Sequence, residues 1–594
     1  MMTDIAGIYK ERVKGYSERL TEIDRRIRQI ALQRLMSILF TGVCLYLGFR
    51  MNPLSFFPAV GFFSLFLFLV KKHTLTFRKR VILAELLSLN KKEAAFKEGD
   101  KSVFDAGIDF DTSHHLYALD LDIYGTGSLF QSVNRSATTS GRELLSQNLL
   151  NPLTNKEEII KRADSIHDLA KEIDWRQEFT AIGSQLVEKP KDYVELKEWL
   201  AIPDFFIGRG HWRPIMWIMP AISAGGILYC IFTSQFIALL VFGPFAINTF
   251  LLSLLLKPLK EYFLRFGGKT KQFKKYADLF AHIREGKFKT PQNKALQEQC
   301  TDASEAFAKL FKLSNAADQR LGAGGPIMNG LFLMDLWNVL GIEQWKDRHK
   351  DSFPQWIDSL VTIDMLSSFS NFTFNHPDFV NATISEGKEF ISAKEMGHPL
   401  MDTQVSIKND YDIGVQSKVH VITGSNMAGK STFIRALGVN LVLACNGVPV
   451  CAKEFKCSIL GLITSIRITD SLEENASYFK AELIRLERVL DQLKTGKPYL
   501  VLLDEILRGT NSDDKRLGTQ SFLLKLKQYN CLVLLATHDL SIGKLEKEFP
   551  GEVENYCFES QFSEDGLSFD YKLRKGVSSS TNATFLMKRM GLID

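Results

Sequence analysis

A glycine-rich stretch in the last third of the chain constrains the fold more than any other feature. The octet Gly424-Ser-Asn-Met-Ala-Gly-Lys-Ser431 fits the pattern G-x-x-x-x-G-K-[ST] without a mismatch. An apolar, β-branched run starting at Val419 precedes it, and an apolar stretch from Phe433 to Cys445 follows. A strand that enters such a loop and a helix that leaves it belong to a parallel α/β sheet. A chance glycine-rich turn is the alternative, but it would not explain a complete motif in this setting.

The chemistry of the motif predicts a nucleotide site. Gly424 and Gly429 let the backbone curl so that its N–H groups face phosphate oxygens. Lys430 brings a positive charge to the β- and γ-phosphates, and the Ser431 hydroxyl is placed to ligate Mg²⁺. We therefore predict ATP and Mg²⁺ as cofactors. The predicted binding residues are Gly424, Ser425, Asn426, Met427, Ala428, Gly429, Lys430, Ser431 and Thr432.

Two further apolar runs end in polar side chains. Tyr499-Leu-Val-Leu-Leu is typical of a strand buried on both faces, and Asp504 and Glu505 follow it. Asp504 is the second predicted metal residue, acting through water, and Glu505 would polarise the attacking water. The third run, Cys531–Ala536, leads to His538. A histidine there is often only a satisfied polar group, but the shared strand-end pattern favours a γ-phosphate sensor. The predicted catalytic residues are Glu505, His538 and Lys430.

The first hundred residues contain two apolar runs in close succession. Leu35–Phe49 and Pro53–Val70 follow a charged, amphipathic stretch over Tyr9–Arg34. A helix that crosses a bilayer needs about 20 apolar residues. Arginines precede the pair of runs and lysines and arginines follow it, which places both ends in the cytoplasm. A buried hydrophobic hairpin is the alternative, but phenylalanine-rich runs without polar alternation favour the membrane.

A second apolar block, Pro214–Leu256, contains no Asp, Glu, Lys or Arg. Thr233-Ser-Gln235 divides it into two spans of about 19 and 21 residues, each long enough to cross a bilayer. The basic run Lys257–Lys294 follows. This run is either a cytoplasmic flank that attracts anionic lipid or a DNA-facing stripe, and we favour the flank.

The composition of the chain indicates its cellular compartment. The chain has 594 residues, which suggests several domains, and a formal net charge of +5, which does not by itself indicate nucleic acid. Its eight cysteines are scattered without a C-x-x-C pair, as in a reduced intracellular protein. The charged N-terminus does not read as a signal peptide. We expect a multi-pass protein of the inner (cytoplasmic) membrane with its nucleotide site in the cytoplasm.

The motifs resemble the MutS family of DNA mismatch-repair ATPases, within the wider ABC class. The matching stretches are Thr423–Thr432, Leu503–Thr510, Ala536–His538, Gly397–Leu400, Asp470–Glu482 and, upstream, Gly127–Leu145 with Asn151-Pro-Leu. The resemblance implies a helical core and lever, a homodimer with composite ATP sites, and double-stranded DNA as a partner. It also implies that Ser477 reaches the γ-phosphate bound by the other subunit.

Several departures qualify this resemblance. We expect no mismatch-recognition or connector domain, and therefore no mismatch discrimination. The segment before Ser477 carries Glu473 and Asn475 where the family is glycine-rich. The family's adenine-stacking aromatic residue is missing from Val405–Asp410, with Tyr411 as a substitute. The uncharged block stands where the family's lever carries a DNA clamp.

The predicted architecture is α+β and multidomain: a helical core and lever with transmembrane hairpins, plus a C-terminal α/β P-loop ATPase domain. The predicted segments are 1–110 (N-terminal helix and first hairpin, about 35–49 and 53–70), 115–212 (core and ascending lever), 213–257 (second hairpin), 258–390 (descending lever and core) and 391–594 (ATPase domain). The leading functional hypothesis is a membrane-anchored, ATP-dependent dimeric switch related to mismatch repair. A mechanotransmission ATPase with a protein or lipid partner is the alternative. A transport ATPase is weaker because the spans offer almost no ionisable residues for a substrate path.

Overall fold

The computed structural model describes residues 4–578 except 187, 190, 191, 208–211, 235, 236, 321, 323, 403, 404, 426, 468–477, 564 and 565. Among the described residues, regular structure is entirely helical up to Asn375 and mixed α/β beyond it. The predicted combination of a helical part and a C-terminal α/β part is therefore confirmed. Ser477 and Asn426, two of the predicted site residues, lie outside the described residues.

The chain begins with two long antiparallel helices, α1 (Ile5–Arg50) and α2 (Phe56–Lys97). Asp4 caps α1 by accepting the Gly7 N–H at 2.8 Å, and a 3-10 turn over Pro53–Ser55 joins the helices. The amphipathic stretch and the first apolar run, predicted separately, form one continuous helix. Large apolar side chains along the joined end face outward, among them Leu35, Phe40, Val43, Tyr46, Phe49, Leu54, Phe57, Val60 and Phe68.

The helical core packs around α16, which is buried along nearly its whole length. Its helices are α3 (Leu129–Val133), α4 (Thr139–Leu150), α5 (Lys156–Ala170), α6 (Ile173–Gly183), α7 (Asp192–Leu200), α11 (Thr270–Glu285), α12 (Pro291–Gln299), α13 (Ala303–Gln319), α14 (Gly325–Phe332), α15 (Met334–His349) and α16 (Phe353–Asn375). α5 ends at Ala170, and α6 begins at Ile173. Leu333, whose φ of 55° is left-handed, separates α14 from α15.

Asp364 of α16 explains the Thr138-Thr-Ser-Gly141 sequence at the start of α4. Its carboxylate accepts the backbone N–H groups of Ala137 and Thr138, both at 2.8 Å, and the Thr138 hydroxyl at 2.7 Å. A Cβ on Gly141 would lie 2.1 Å from this carboxylate, so only glycine fits. Burial raises the pKa of Asp364 to about 6, although the three hydrogen bonds oppose the shift.

A buried polar network joins the first hairpin to this core. Glu93 of α2 accepts Arg135 Nε at 2.6 Å and Asn371 Nδ2 of α16 at 2.9 Å. The Tyr9 hydroxyl of α1 donates to Asn375 Oδ1 at 2.7 Å, and Asn375 Nδ2 donates to Glu93 at 3.3 Å. Glu93 and Arg135 are almost fully buried, with 1% and 6% exposure. Both helices of the hairpin are thus tied to the end of α16, close to where the α/β part begins.

The second apolar block forms α8 (Trp212–Thr233), α9 (Ala238–Leu254) and α10 (Leu256–Phe266). α8 and α9 cross so closely that a Cβ on Gly226 would lie 2.3 Å from the Leu240 carbonyl oxygen. The second predicted span is shorter than expected, because the chain bends by 66° between α9 and α10. Outward-facing apolar side chains cover this hairpin too, among them Trp217, Ile222, Leu228, Ile231, Phe232, Leu239, Phe242, Ile247, Phe250 and Leu254.

By length and composition, three helical stretches of the described chain could cross a bilayer: Ile5–Arg50, Pro53–Lys97 and Trp212–Thr233. The bent pair Ala238–Leu254 and Leu256–Leu264 makes a fourth if it counts as one span.

The α/β part contains two sheets. The first has the order β1 (Thr383–Ser385), β5 (Glu454–Ser458), β2 (Ile391–Met396) and β3 (Asn409–Ile413). Since β1 pairs with β5, the predicted boundary at residue 391 falls inside this sheet. The second has the order β10 (Gly566–Lys575), β9 (Val553–Ser563), β4 (Val419–Thr423), β8 (Cys531–Thr537), β7 (Tyr499–Asp504) and β6 (Gly461–Ser465), parallel except for the β9–β10 pair. Helices α17 (Lys430–Cys445), α18 (Tyr478–Leu493), α19 (Ser512–Leu526) and α20 (Leu545–Glu548) complete it.

Candidate nucleotide site

The glycine-rich loop lies at the carboxyl end of β4, near the middle of the second sheet. β4 pairs in parallel with β8 on one side and β9 on the other, and α17 starts at Lys430. The predicted strand and helix on either side of the loop are both present. Gly424 has a φ of 152°, and a Cβ there would lie 2.7 Å from the Phe558 carbonyl oxygen. Gly429 has a φ of 103°, which favours glycine.

Lys430 turns back over the loop. Its Nζ donates to the carbonyl oxygens of Gly424 at 2.8 Å and Ser425 at 2.9 Å. Burial lowers the pKa of Lys430, while the nearby carboxylates of Glu505 and Asp504 raise it. Within the described part of the chain, the buried Ser425 hydroxyl has no hydrogen-bond partner. A buried cation and an unused hydroxyl beside inward-curling backbone are the groups that phosphate oxygens would satisfy.

Ser431 and Asp504 meet at the start of α17. The Ser431 hydroxyl donates to Asp504 Oδ2 at 2.5 Å. Burial raises the pKa of Asp504, with Ser431 and Arg508 acting in the opposite direction. One hydroxyl and one carboxylate form the small set of hard oxygen ligands that Mg²⁺ takes when nucleotide phosphates and waters supply the rest. These two residues therefore fit the predicted magnesium ion.

Glu505 and His538 face each other across neighbouring strand ends. β7 and β8 are adjacent and parallel, and His538 Nδ1 lies 2.9 Å from Glu505 Oε1. Burial raises the pKa of Glu505, but the hydrogen bond and charge of His538, with the charges of Arg508 and Lys430, leave it below its ordinary value. Glu505 is therefore an ionised carboxylate at neutral pH, in contact with the histidine predicted to sense phosphate.

A cavity of about 710 Å³ opens beside these groups. Its polar end holds Lys430, Ser431, Thr432, Asp504, Glu505 and Arg508, with Met427, Ala428 and Gly429 along the loop. The cavity is also lined by Met396, Met401, Ile407 and Tyr571, whose roles no sequence motif predicts. Gly397 and His398 of the predicted Gly397–Leu400 match also line it, and Asn440 Nδ2 of α17 holds the Gly397 carbonyl at 3.0 Å.

Tyr411 does not stack on a base in this cavity, so its prediction as an adenine-stacking substitute is wrong. The side chain is 2% exposed and its hydroxyl pairs with His420 Nδ1 at 2.9 Å, inside the sheet. Tyr411 belongs to β3, and the alternation of that strand turns it towards the core. Phe433, Phe558 and Tyr571 also line the cavity. The two phenylalanines are buried, whereas Tyr571 from β10 is 44% exposed, and a Cβ on Gly429 would lie 3.0 Å from its ring.

Glu482 on α18 holds the loop that follows Glu505. Its buried carboxylate accepts the backbone N–H of Leu507, and that of Arg508 at 3.0 Å. Glu505 and Leu507 have left-handed φ values of 51° and 61°, which are strained for residues other than glycine. Phe479 packs against the same loop, so closely that a Cβ on Gly509 would lie 2.8 Å from Phe479 Cβ. Glu482 stood in the matched Asp470–Glu482 stretch, but its role was visible only in the structure.

Asp120 connects the helical core to the same region. Its carboxylate is fully buried and accepts the Thr464 hydroxyl at 2.6 Å and the N–H groups of Ile466 at 3.0 Å and Arg467 at 2.9 Å. Arg485 of α18 also pairs with it. One core carboxylate therefore fixes the chain on both sides of the segment 468–477.

Comparisons with known proteins agree with this arrangement. A family model described as MutS domain V matches residues 420–588, and one described as MutS domain III matches residues 115–193. The DNA mismatch repair protein MutS of Aquifex pyrophilus is 32% identical over 218 residues, which cover 36% of this chain and 25% of that protein. The DNA mismatch repair protein MutS of Thermotoga petrophila is 31% identical over 254 residues, or 42% of this chain and 31% of that protein.

The chain thus spans about a quarter to a third of the length of these relatives. The match nevertheless covers both the glycine-rich loop with its strand-end carboxylates and the start of the helical core. The resemblance to the MutS family inferred from the motifs is confirmed over these two stretches of the chain.

Proposed function

We propose that this protein is a Mg²⁺-dependent ATPase that works as a dimer and is anchored in the membrane by two helical hairpins. The observation that carries the ATPase assignment is one cavity lined by Lys430, the Ser431–Asp504 pair and Glu505, with His538 hydrogen-bonded to Glu505. Each pair joins side chains that are far apart in sequence.

The residues divide the work of phosphoryl transfer. Backbone N–H groups of the loop and Lys430 bind the phosphates and stabilise the charge that develops on the transferred group. Glu505, held ionised, orients the attacking water and accepts its proton. His538 hydrogen-bonds Glu505, and we assign it the role of γ-phosphate sensor. Mg²⁺, when bound at Ser431 and Asp504, would neutralise phosphate charge.

A shared active site follows from the family resemblance at Ser477. In this proposal Ser477 of one subunit completes the site of the other. Mixing Lys430→Ala subunits with Ser477→Ala subunits tests this, because each mixed dimer would contain one intact site while each variant alone has none. Recovery of ATP hydrolysis in the mixture is expected. Absence of recovery, when subunit exchange is shown by a labelled pair, contradicts the composite site.

The outward-facing apolar side chains of the two hairpins support the membrane anchor. Soluble monomers rarely expose contiguous apolar patches larger than a few hundred Å². Basic residues flank both hairpins on the side of the protein body, as the positive-inside rule requires for a cytoplasmic body. We therefore place the protein in the inner (cytoplasmic) membrane, multi-pass, with its ATPase domain in the cytoplasm.

A cysteine-labelling scan tests this topology. Cys44 and Cys230 lie in the hairpins and are first replaced by serine, since the other six cysteines are buried. Single cysteines at Arg50 and Ser234 should then react with an impermeant reagent from the outer side, and one at Lys271 only from the cytoplasmic side. Labelling of Ser234 from the cytoplasm would show that the second hairpin does not span.

The two leading functional hypotheses differ in the partner that the protein binds. The family resemblance supports DNA, whereas the apolar hairpin at the end of the lever supports a membrane or protein partner without mismatch recognition. DNA affinity measured at two salt concentrations, for matched and mismatched duplexes, separates them, because each neutralised phosphate steepens the salt dependence. We expect at most weak binding that ignores the mismatch. A clear preference for mismatched over matched DNA would instead support a role in mismatch repair itself.

A further inference from the structure

A short uncharged excursion rises from the helical core beside the second hairpin. The sequence from 321 to 334 contains no Asp, Glu, Lys or Arg, and α14 lies within it. Arg320 and Asp335 stand on either side of the excursion and pair at 3.5 Å, which closes its base. The Arg320 guanidinium also lies 4.0 Å from the ring centroid of Phe263 on α10. The base of the excursion is therefore level with α10, the helix just after the bend.

The excursion packs on the hairpin itself. α14 contacts both α8 and α9. A Cβ on Gly330 of α14 would lie 2.2 Å from the ring of Phe245, so glycine lets the two helices touch. Asn248, fully buried in the middle of the apolar α9, donates to the carbonyl oxygens of Gly330 at 2.9 Å and Leu331 at 3.1 Å. These carbonyls end α14 and have no partner within the helix, so Asn248 satisfies the backbone where the excursion turns back.

The other face of α14 is apolar and exposed. Ile327 is 57% exposed and Met328 is 43% exposed, next to an exposed Pro326. At the foot of the hairpin, Trp217 of α8 and Trp337 of α15 meet with ring centroids 5.0 Å apart. Tryptophan pairs at such a position are typical of the level of lipid headgroups. The exposed face of α14 thus continues the apolar surface of α8 and α9.

We propose that α14 is a re-entrant helix that enters the cytoplasmic leaflet of the bilayer beside the second hairpin, with Ile327 and Met328 in contact with lipid acyl chains. This inference rests on the proposed membrane anchor. An uncharged stretch of this length is too short to span and is typical of re-entrant or buried helices. Ile327 and Met328 are exposed, so the described part of this chain does not bury them. Asn248 supplies the internal backbone hydrogen bonds that irregular chain needs at membrane depth.

Fluorescence quenching in vesicles tests the proposal with the full-length protein. In the Cys44→Ser, Cys230→Ser background, an environment-sensitive fluorophore is attached to Met328→Cys, to Leu228→Cys on α8, and to Leu517→Cys on α19. Leu517 is 56% exposed, so it is a matched exposed apolar position in the α/β part. The protein is reconstituted into vesicles of phosphatidylcholine and phosphatidylglycerol that contain lipids with a doxyl quencher near the headgroup or deep in the chain.

The three positions give separate answers. We expect the label at Leu228 to be quenched by doxyl lipid, the label at Leu517 by aqueous iodide alone, and the label at Met328 by shallow doxyl lipid with large loss of iodide quenching. If Leu228 responds to lipid while Met328 behaves like Leu517, α14 stands in water and the inference is wrong, although the membrane anchor stands. If Leu228 is also quenched only by iodide, the membrane anchor itself fails, and the re-entrant helix with it.

Discussion

The nucleotide site and the two hairpins arrange the same kinds of side chain in opposite ways. At the site, apolar strands are hidden inside the second sheet and charged groups gather in an open cavity. In the hairpins, large apolar side chains face outward, and a polar residue such as Asn248 is buried. Under the proposed membrane anchor, this difference corresponds to two solvents, water around the α/β part and lipid around the hairpins. Glu93 and Arg135 stand where the two arrangements meet.

The largest expected effect concerns this junction. Glu93→Ala leaves the Arg135 guanidinium buried without its carboxylate, which should destabilise the fold by about 3–5 kcal/mol. Thermal unfolding of the detergent-purified protein measures it. Glu98→Ala is the matched control, since Glu98 pairs with Lys10 at the surface and its loss should have little effect. A Glu93→Leu, Arg135→Met double variant should be more stable than the Glu93→Ala variant. Equal, mild effects of Glu93→Ala and Glu98→Ala would show that the network does not hold the hairpin.

The next largest effect is catalytic and should leave the hairpins untouched. Glu505→Gln removes the ionised carboxylate and should lower ATP turnover by about 10²-fold or more while nucleotide still binds. Lys430→Ala should instead weaken nucleotide binding. Steady-state turnover and equilibrium nucleotide binding check both variants, with the exposed Glu487→Gln on α18 as the control. Unchanged turnover in Glu505→Gln would remove this residue as the base.

A smaller effect is expected at Glu482, which acts on Glu505 through the backbone. In Glu482→Gln, one acceptor oxygen is replaced by an NH₂ group that faces backbone donors, so the strained loop loses part of its support. Turnover should fall about tenfold, or about 1.4 kcal/mol, while nucleotide affinity is kept. Loss of affinity in parallel with turnover would instead indicate general unfolding of the site.

The smallest effect distinguishes Tyr411 from Tyr571. Tyr411→Phe removes a hydrogen bond to His420, whose pKa burial lowers to about 3, so the ring is neutral at pH 7. We expect a loss of about 1 kcal/mol of stability and no change in ATP affinity. Tyr571→Ala should weaken ATP binding with little effect on stability. An affinity change in Tyr411→Phe would reopen its assignment to the base pocket.

Much of the site could be predicted because local sequence dictates it. The loop from Gly424 to Ser431 and the carboxylates after β7 depend on short motifs, and strand ends in a parallel sheet meet at one edge. Tyr411 could not be assigned, since the face of a strand depends on which sheet it joins. Glu482 and Asp120 act through backbone groups distant in sequence, and such contacts leave no periodic signal.

The hairpins show the same limit of prediction from the sequence. Their apolar runs were visible from composition, but the bend after Leu254 and the break at Leu333 were not. The apolar run that forms α14 does not reveal from sequence whether protein or lipid covers it. The contact of Gly330 with Phe245 and the hydrogen bonds from Asn248 show in the structure that α9 lies beside it.

The unbroken length of α1 has a mechanical consequence. Its 46 residues extend about 69 Å, whereas the hydrocarbon core of a bilayer is about 30 Å thick. In the proposed membrane-anchored state, α1 and its partner α2 would form a rigid spacer that sets the height of the α/β part above the membrane. They also set its rotation, because removing one residue from a helix turns everything beyond it by about 100°. A one-residue deletion between Phe77 and Glu93 would therefore be expected to rotate the body about the helix axis, and not merely to lower it.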